Sequence, residues 1–343
     1  MSKFQDKYPF VSVCTPTFNR RPFIPFTIKC IEHQDYPKDK FEWIIIDDGT
    51  DTIEDLVSHL PYVKYFKYTD KKSLGEKRNI MHKKSTGSIL VYFDDDDYYP
   101  PCRISHAVET LQKNPKALCC GSSEMHIYFK HINKMYQFGP YGPNHATAAT
   151  FAFRRELLDD TSYDDYACVG EERKFLKDYT VPFAQLDTLK SILVFSHIHN
   201  SFDKKTLLDQ PNQQIKESKY SVDDFIKEPD FKTFFLNDID VLLSKYEPGN
   251  PNNKKDVIAY TNILKRSRDE MATHMKKREQ AIQKQANEHI VTVRQQFEHR
   301  ITSTTRENIS LKDKIDYLEK KITNLIKDNI QLKKELKNRE VTN

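Results

Sequence analysis

The run Ile89-Leu90-Val91-Tyr92-Phe93, followed directly by Asp94-Asp95-Asp96-Asp97, restricts the fold of this chain more than any other stretch. Five consecutive apolar residues read as a strand buried on both faces, as in the middle of a parallel sheet. Four carboxylates at the end of such a strand bring like charges within a few ångströms, which is unfavourable unless a cation neutralises them. A solvated acidic loop is the plainer reading of an acidic run. Two features argue against it here: the strand leads straight into the acids, and Pro100-Pro101 then open a helix-like segment. Ligands of open α/β sheets lie beyond the carboxyl ends of strands, so the run is expected to be a metal site. Mg²⁺ or Mn²⁺ suits oxygen ligands of this kind and often keeps a substrate phosphate as a further ligand.

The preceding residues alternate strand and helix signals. Phe10–Cys14, Phe41–Ile46 and Val63–Tyr68 read as strands, and Pro22–His33, Thr52–Leu60 and Leu74–Ser85 as helices. This spacing predicts right-handed βαβ units and a largely parallel sheet. From Ala117 onward the strand signals are less regular, with turns at Gly139-Pro140 and Gly142-Pro143-Asn144. Three segments are expected: an α/β domain over 1–205, a helical extension and linker over 206–253, and a helical segment over 254–343. The linker Glu247-Pro248-Gly249-Asn250-Pro251-Asn252-Asn253 cannot continue a helix, and no Pro or Gly follows it.

The tail carries a heptad pattern. With Ile301 at a, the a positions are Ile301, Asn308, Ile315, Ile322, Asn329 and Leu336, and the d positions include Leu311, Leu318, Leu325 and Leu332. Ile at a with Leu at d favours a parallel two-stranded coil, and Asn at a selects dimers and register. The pairs Glu307/Lys312, Lys314/Glu319 and Asp328/Lys333 would be opposite in sign across such a dimer. A homodimer through this coil is expected, with recruitment of another protein as the alternative.

A net charge of +4 over 343 residues implies no nucleic-acid partner. The six cysteines show no C-x-x-C or Cys/His spacing, so buried free thiols are expected. Without an apolar signal core, or an apolar run of about 18 residues, the chain is expected to be cytoplasmic.

Three further loops should meet the acids at the carboxyl edge. Thr15-Pro16-Thr17-Phe18-Asn19-Arg20 offers hydroxyls, an amide, an aromatic ring and a guanidinium for a base and a phosphate. Asp47-Asp48-Gly49-Thr50 could accept from a base or ribose, or simply cap a helix. Leu74-Gly75-Glu76-Lys77-Arg78-Asn79 brings Arg78, as a nucleotide contact or a helix-surface residue. Neither G-x-G-x-x-G nor G-x-x-x-x-G-K-[ST] occurs, so a dinucleotide fold or P-loop is not supported.

Together these loops resemble the family 2 glycosyltransferases. Thr15–Arg20 is similar to that family's P-T-[YF]-N-R element and Trp43–Thr50 to its I-I-V-V-D-D-G-S element. Leu74–Asn79 is similar to G-x-x-x-A-R-N, and Phe93–Pro100 to the L-D-x-D-D-x-x-P stretch with its DxD motif. The resemblance covers roughly the first 200 residues. It implies a GT-A fold, a Rossmann-like mixed sheet flanked by helices, to which the long helical coiled coil is appended. It also implies that Thr15, Pro16, Thr17, Asn19, Arg20, Asp47, Asp48, Arg78, Asp94 and Asp95 face the nucleotide. Asp94 and Asp96 become the DxD acids, with Asp96 the residue expected to contact Mn²⁺ or Mg²⁺.

In the second half, Ala148–Leu158 is similar to the family's segment ending in F-R-R-x-L. Val169-Gly170-Glu171-Glu172-Arg173-Lys174-Phe175-Leu176 stands in the place of G-E-D-x-x-[FL], whose last acid is the base. Here that acid is Glu172, a departure from Asp, and Glu171 is its alternative. Ser196-His197-Ile198-His199-Asn200-Ser201 is similar to the H-x-x-N-[ST] element, which would bring His197 to the metal or diphosphate; a strand-end histidine is otherwise structural.

The implied reaction is inverting transfer of a hexosyl or N-acetylhexosaminyl group from a nucleoside diphosphate sugar, UDP-linked for preference, to a glycan or protein hydroxyl. The alternatives are a nucleotidyltransferase, disfavoured because no Gly-rich basic loop follows the first strand, and a non-catalytic sugar-nucleotide-binding scaffold acting through its coil.

Overall fold

The computed structural model describes residues 7–209 and 212–340. The chain divides into two units, Met1–Leu264 and Lys265–Asn343.

The first unit is built on a seven-stranded sheet of order β3-β2-β1-β4-β8-β5-β9. β1 (Val11–Thr17), β2 (Phe41–Asp47), β3 (Val63–Lys67) and β4 (Ile89–Tyr92) are mutually parallel. They alternate with α1 (Ile24–Glu32), α2 (Glu54–Val57) and α3 (Leu74–Lys84), and α4 (Arg103–Lys113) follows. The βαβ reading therefore holds, although α2 is a single turn where a helix over Thr52–Leu60 was expected. β5 (Cys119–Gly121), β8 (Ala152–Arg154) and β9 (Phe183–Gln185) complete the sheet, with β8 antiparallel to both β4 and β5.

Every residue of β2 and β4 is buried, because helices cover both faces. Alternate side chains enter opposite layers. Val11, Val13, Trp43, Ile45 and Val91 pack with Ile24, Ile104 and Leu111 on one side. Cys14, Ile44, Ile46, Leu90 and Tyr92 pack with Met81, Phe153 and Phe175 on the other. β1 connects to β2 on one side and neighbours β4 on the other, so the strand order reverses at β1/β4, where a crevice opens beyond the carboxyl ends.

A second sheet, β10-β6-β7-β11, joins β6 (Met125–Phe129), β7 (Lys134–Phe138), β10 (Val194–Ser196) and β11 (Ile215–Glu217). The helical turn α5 (Glu172–Phe175) precedes β9. α6 (Val222–Phe225), α7 (Pro229–Thr233) and α8 (Ile239–Ser244) pack on α1 and β10 through Phe225, Phe231, Phe234, Phe235 and Phe195. All six cysteines are free, and only Cys102 is not fully buried.

The Pro- and Asn-rich stretch 247–253 forms two 3₁₀ turns, Glu247–Gly249 and Pro251–Asn253. It is followed by α9, Lys255–Glu340. In the second unit α9 continues as an uninterrupted helix that exposes large apolar residues. Ile315, Leu318, Ile322 and Leu325 are 56%, 47%, 56% and 58% exposed. Among the described residues no helix is long and apolar enough to cross a membrane.

Candidate active site at the carboxyl edge of the sheet

The loops after β1 and β4, the start of α3, and the turn entering α5 surround a cleft of about 360 Å³. Pro16, Phe18, Arg20, Lys77, Arg78, Asp94–Asp97, Glu171 and Glu172 line it, all within the first unit.

The acidic loop is held in place by neutral groups. The Asp94 N–H donates to Tyr99 Oη (2.8 Å), and Thr27 Oγ1 donates to the Asp95 carbonyl (3.0 Å). Its carboxylates then meet two buried guanidinium groups. Arg20 approaches Asp95 (3.5 Å) and Asp96 (3.2 Å) and donates to the His199 carbonyl (2.8 Å). Arg78 donates to Glu171 Oε1 at 2.8 Å and lies 3.8 Å from Asp94 Oδ1, with Tyr92 and Tyr163 beside its plane at 4.4 and 5.7 Å.

The four aspartates are shifted in different directions. Burial pushes Asp94 and Asp97 above the usual carboxylate range, and the Asp96 charge adds to both shifts. Burial likewise lifts Asp95 to about 7. Asp96 goes the other way: burial opposes ionisation, but Arg20 and His197 hold its carboxyl well below the usual range. His197 Nε2 lies 3.2 Å from Asp96 Oδ2, and burial keeps this histidine neutral, with its pKa lowered to about 3. Asp94 Oδ1 and Asp97 Oδ1 are buried and accept no hydrogen bond among the described residues.

α3 carries more than Arg78. Ser73 caps it through Glu76 N–H (3.0 Å), and Asn79 grips the Tyr163 backbone on both sides (3.0 Å each). The Gly75 N–H donates to the Ala167 carbonyl (2.9 Å), so α3 fixes the loop that delivers Glu171 and Glu172. Glu171 is buried on Arg78. Glu172 is only partly covered, and burial together with the Glu171 charge raises it to about 7.

The other expected nucleotide residues stand behind the cleft wall, with most of their polar atoms engaged within the protein, although Thr17 Oγ1 is buried without a hydrogen-bond partner among the described residues. Thr15 Oγ1 accepts from Trp43 Nε1 (2.8 Å), and the Thr17 carbonyl accepts from Lys77 Nζ (3.0 Å). Asn19, at φ 52°, accepts from Asp51 N–H (2.9 Å) and donates to the Pro248 carbonyl (2.9 Å). Asp47 accepts from Gly49 N–H (2.8 Å), Ile53 N–H (3.1 Å) and Tyr65 Oη (2.7 Å), so its carboxylate is engaged within its own loop, while α2 has no side-chain cap. Asp48 is neutralised by Lys77 (2.8 Å) and Lys71 (3.2 Å). Lys71, Lys204 and Lys254 also line the cleft. No motif marks them, and only the returning chain brings Lys254 to this edge.

The Asp, Glu and His side chains could serve a hard divalent ion, because their donors are carboxylate oxygens and a neutral imidazole. Among the described residues no three of them converge as a ready-made set. Arg20 and Arg78 occupy the acids' partners instead. The two orphaned oxygens of Asp94 and Asp97 and the excess of buried carboxylates nevertheless fit a cation.

Residues 12–180 match the description Glycosyl transferase family 2. The chain carries a family 2 glycosyltransferase domain. The matched residues include all the strands and loops from Thr15 to Glu172 that form the cleft, while His197 and Lys254 lie beyond them. Over 100 residues the chain is 30% identical to the poly(ribitol-phosphate) β-N-acetylglucosaminyltransferase TarS of Staphylococcus aureus, covering 25% of this chain and 16% of TarS. Over 108 residues it is 27% identical to an uncharacterized glycosyltransferase of Haemophilus influenzae, covering 31% and 35%. The chain thus spans well under half the length of these curated relatives. Among solved structures, S. aureus TarS 1–349 matches 55% of this chain and 60% of that one, with a TM-score of 0.47 and 19% identity. The mannosyltransferase PcManGT from Pyrobaculum calidifontis, in complex with GDP-Man and Mn²⁺, matches 54% and 56%, with a TM-score of 0.44 and 19% identity. The mixed sheet with flanking helices is the GT-A arrangement, as expected.

Proposed function

We propose that this protein is a metal-dependent, inverting glycosyltransferase that takes its sugar from a nucleoside diphosphate donor, UDP-linked for preference. One observation carries the reading. A single cleft in the family 2 domain gathers Asp94–Asp97, the guanidinium groups of Arg20 and Arg78, and the Glu171/Glu172 pair.

In this reading Asp94 and Asp96, with His197, hold the ion. A bound Mn²⁺ or Mg²⁺ supplies neutralising charge to the diphosphate leaving group. Arg20 and Arg78 orient the donor in the cleft, Phe18 and Pro16 offer it an apolar wall, and Thr15, Asn19 and Asp47 hold the loops that support them. Glu172 takes the proton of the acceptor hydroxyl at its carboxylate. The acceptor oxygen bonds to the anomeric carbon as the bond from that carbon to the diphosphate breaks on the opposite face, and the nucleoside diphosphate departs with the electron pair. Glu172 suits this work, because a base raised to about 7 is both available and sufficiently basic near neutrality. Glu171 is committed to Arg78 and positions it.

α9 in turn pairs with α9 of a second copy through its exposed heptad seam as a parallel coil. The reading is tested by hydrolysis of UDP- and GDP-sugars without acceptor, with Mn²⁺ or EDTA, in the wild type and in Asp96→Ala. Metal-dependent release of UDP or GDP from one donor, lost in the variant, supports it. Absence of both turnover and nucleotide binding overturns it, whereas binding without turnover favours the scaffold alternative.

A further inference from the structure

After α8 the chain returns across the carboxyl edge of the sheet. Tyr246 Oη donates to Asp51 Oδ2 (2.8 Å), and Asn19 Nδ2 donates to the Pro248 carbonyl (2.9 Å). Gly249 packs so closely that a Cβ there would lie 2.8 Å from both the Asn19 carbonyl and His199 Nδ1. This strap therefore rests on the loops following β1, β2 and β10, the three that support the cleft. It ends at Lys254, which is 6% exposed and whose Nζ donates to Ser201 Oγ (2.5 Å).

The other buried cations of the cleft have acidic partners. Arg20 has Asp95 and Asp96, Lys77 has Asp48, and Arg78 has Glu171. Lys254 lines the same cleft, yet among the described residues no carboxylate forms an ion pair with it; its Nζ donates instead to the neutral Ser201 hydroxyl, which can satisfy one of three N–H groups. A buried ammonium without a counter-charge is unfavourable. Consistent with that, burial and the neighbouring Arg20 charge lower its proton affinity, although Asp95 and Asp96 pull the other way. An anion entering the cleft would supply the missing charge. An ammonium also suits phosphate, which it meets as a point charge from any direction.

We propose that Lys254 binds the diphosphate of the donor, so that the strap at the foot of α9 completes the nucleotide site. This inference rests on the donor reading above and adds a residue outside the segment that matches the family. The strap then has a role beyond joining α8 to α9: it supplies the cleft with a charge that the βαβ core lacks at that position.

The test is equilibrium binding of UDP, UMP and uridine to the full chain, by calorimetry in Mn²⁺ and again in EDTA, repeated with the guanine series. Lys254→Met keeps the aliphatic length and removes the charge. It is expected to weaken diphosphate binding about 10- to 100-fold, the loss typical of a hydrogen bond to a charged group. Uridine binding should stay within about twofold, the scatter of independent substitutions. Lys254→Arg should recover most of the diphosphate affinity, and Ser201→Ala, which leaves the charge, should change it little. Equal losses for all three ligands in both Lys254 variants would mean that the residue only anchors the strap, and would overturn the inference. Unchanged diphosphate affinity in Lys254→Met would overturn it while leaving the donor reading intact. If the wild type binds neither nucleoside diphosphate, both fall together.

Discussion

Replacing Arg78 with methionine removes the charge that the cleft's framework needs most. The guanidinium is buried, donates to Glu171 at 2.8 Å, and faces Asp94 at 3.8 Å. Methionine fills much of the volume between Tyr92 and Tyr163 but leaves Glu171 as a buried carboxylate without a cation. Breaking a buried pair from one side costs about 3–5 kcal/mol. For a unit of this size that corresponds to a fall in Tm of about 6–20 °C. The chain has one tryptophan, Trp43, fully buried in β2, so its fluorescence follows unfolding of the first unit without a contribution from the long helix. The double variant Arg78→Met, Glu171→Gln leaves no buried charge at the pair and should recover at least half of the loss. A fall below about 2 °C in the single variant, or a double variant less stable than the single, would refute the claim that the pair is a buried, mutually dependent unit.

Glu172→Gln should lower sugar transfer about 10²- to 10⁴-fold with donor binding retained, read from kcat and from nucleotide calorimetry. In the wild type the transfer rate should climb as pH rises through about 7, because Glu172 is idle while protonated and active once ionised; a flat profile from pH 5 to 8 would contradict its role. His82 is buried and held neutral, mainly by burial, with its pKa lowered to about 3. Since the unfolded side chain takes a proton below about 6.5, His82 alone should lower the stability of the first unit by about 1.4 kcal/mol per pH unit as the pH drops from there; His197 acts in the same direction, so His82→Phe should make the acid limb shallower in Trp43 fluorescence without removing it. Leu318→Ala with Leu325→Ala should convert a dimer to a monomer in light scattering, at about 2–5 kcal/mol per buried leucine; an unchanged mass would contradict pairing through this seam.

The elements carrying local patterns were legible from residue order. β1, β2, β4, α1 and α3 follow from apolar runs and caps, and the uninterrupted α9 from the lack of Pro and Gly. The acids at the end of β4 were legible for the same reason, since burial on both faces leaves the following loop at the carboxyl edge. What periodicity does not encode is which distant side chain each polar group meets. Asn19 and Asp47 sit in the expected loops, but their hydrogen bonds turn inward to Asp51, Pro248 and Tyr65. The contacts of Arg20 with Asp96, Arg78 with Glu171 and Lys254 with Ser201 join segments 76, 93 and 53 residues apart. The stretch 247–253 has a linker's composition, yet it packs against the sheet edge because its carbonyls and small residues fit the loops there. Three-residue strands such as β8 and β9 are too short for their alternation to register.

If the protein works as proposed, the acids after β4 bind a divalent ion together with a nucleoside diphosphate. Electron paramagnetic resonance of free Mn²⁺ tests it most directly, in titrations of the full chain with and without UDP or GDP, for the wild type, Asp94→Asn and Asp96→Asn. Mn²⁺ uptake by the wild type should tighten with one of the nucleotides and be lost in both variants. Uptake that ignores the nucleotides, or that persists unchanged in both variants, would contradict it.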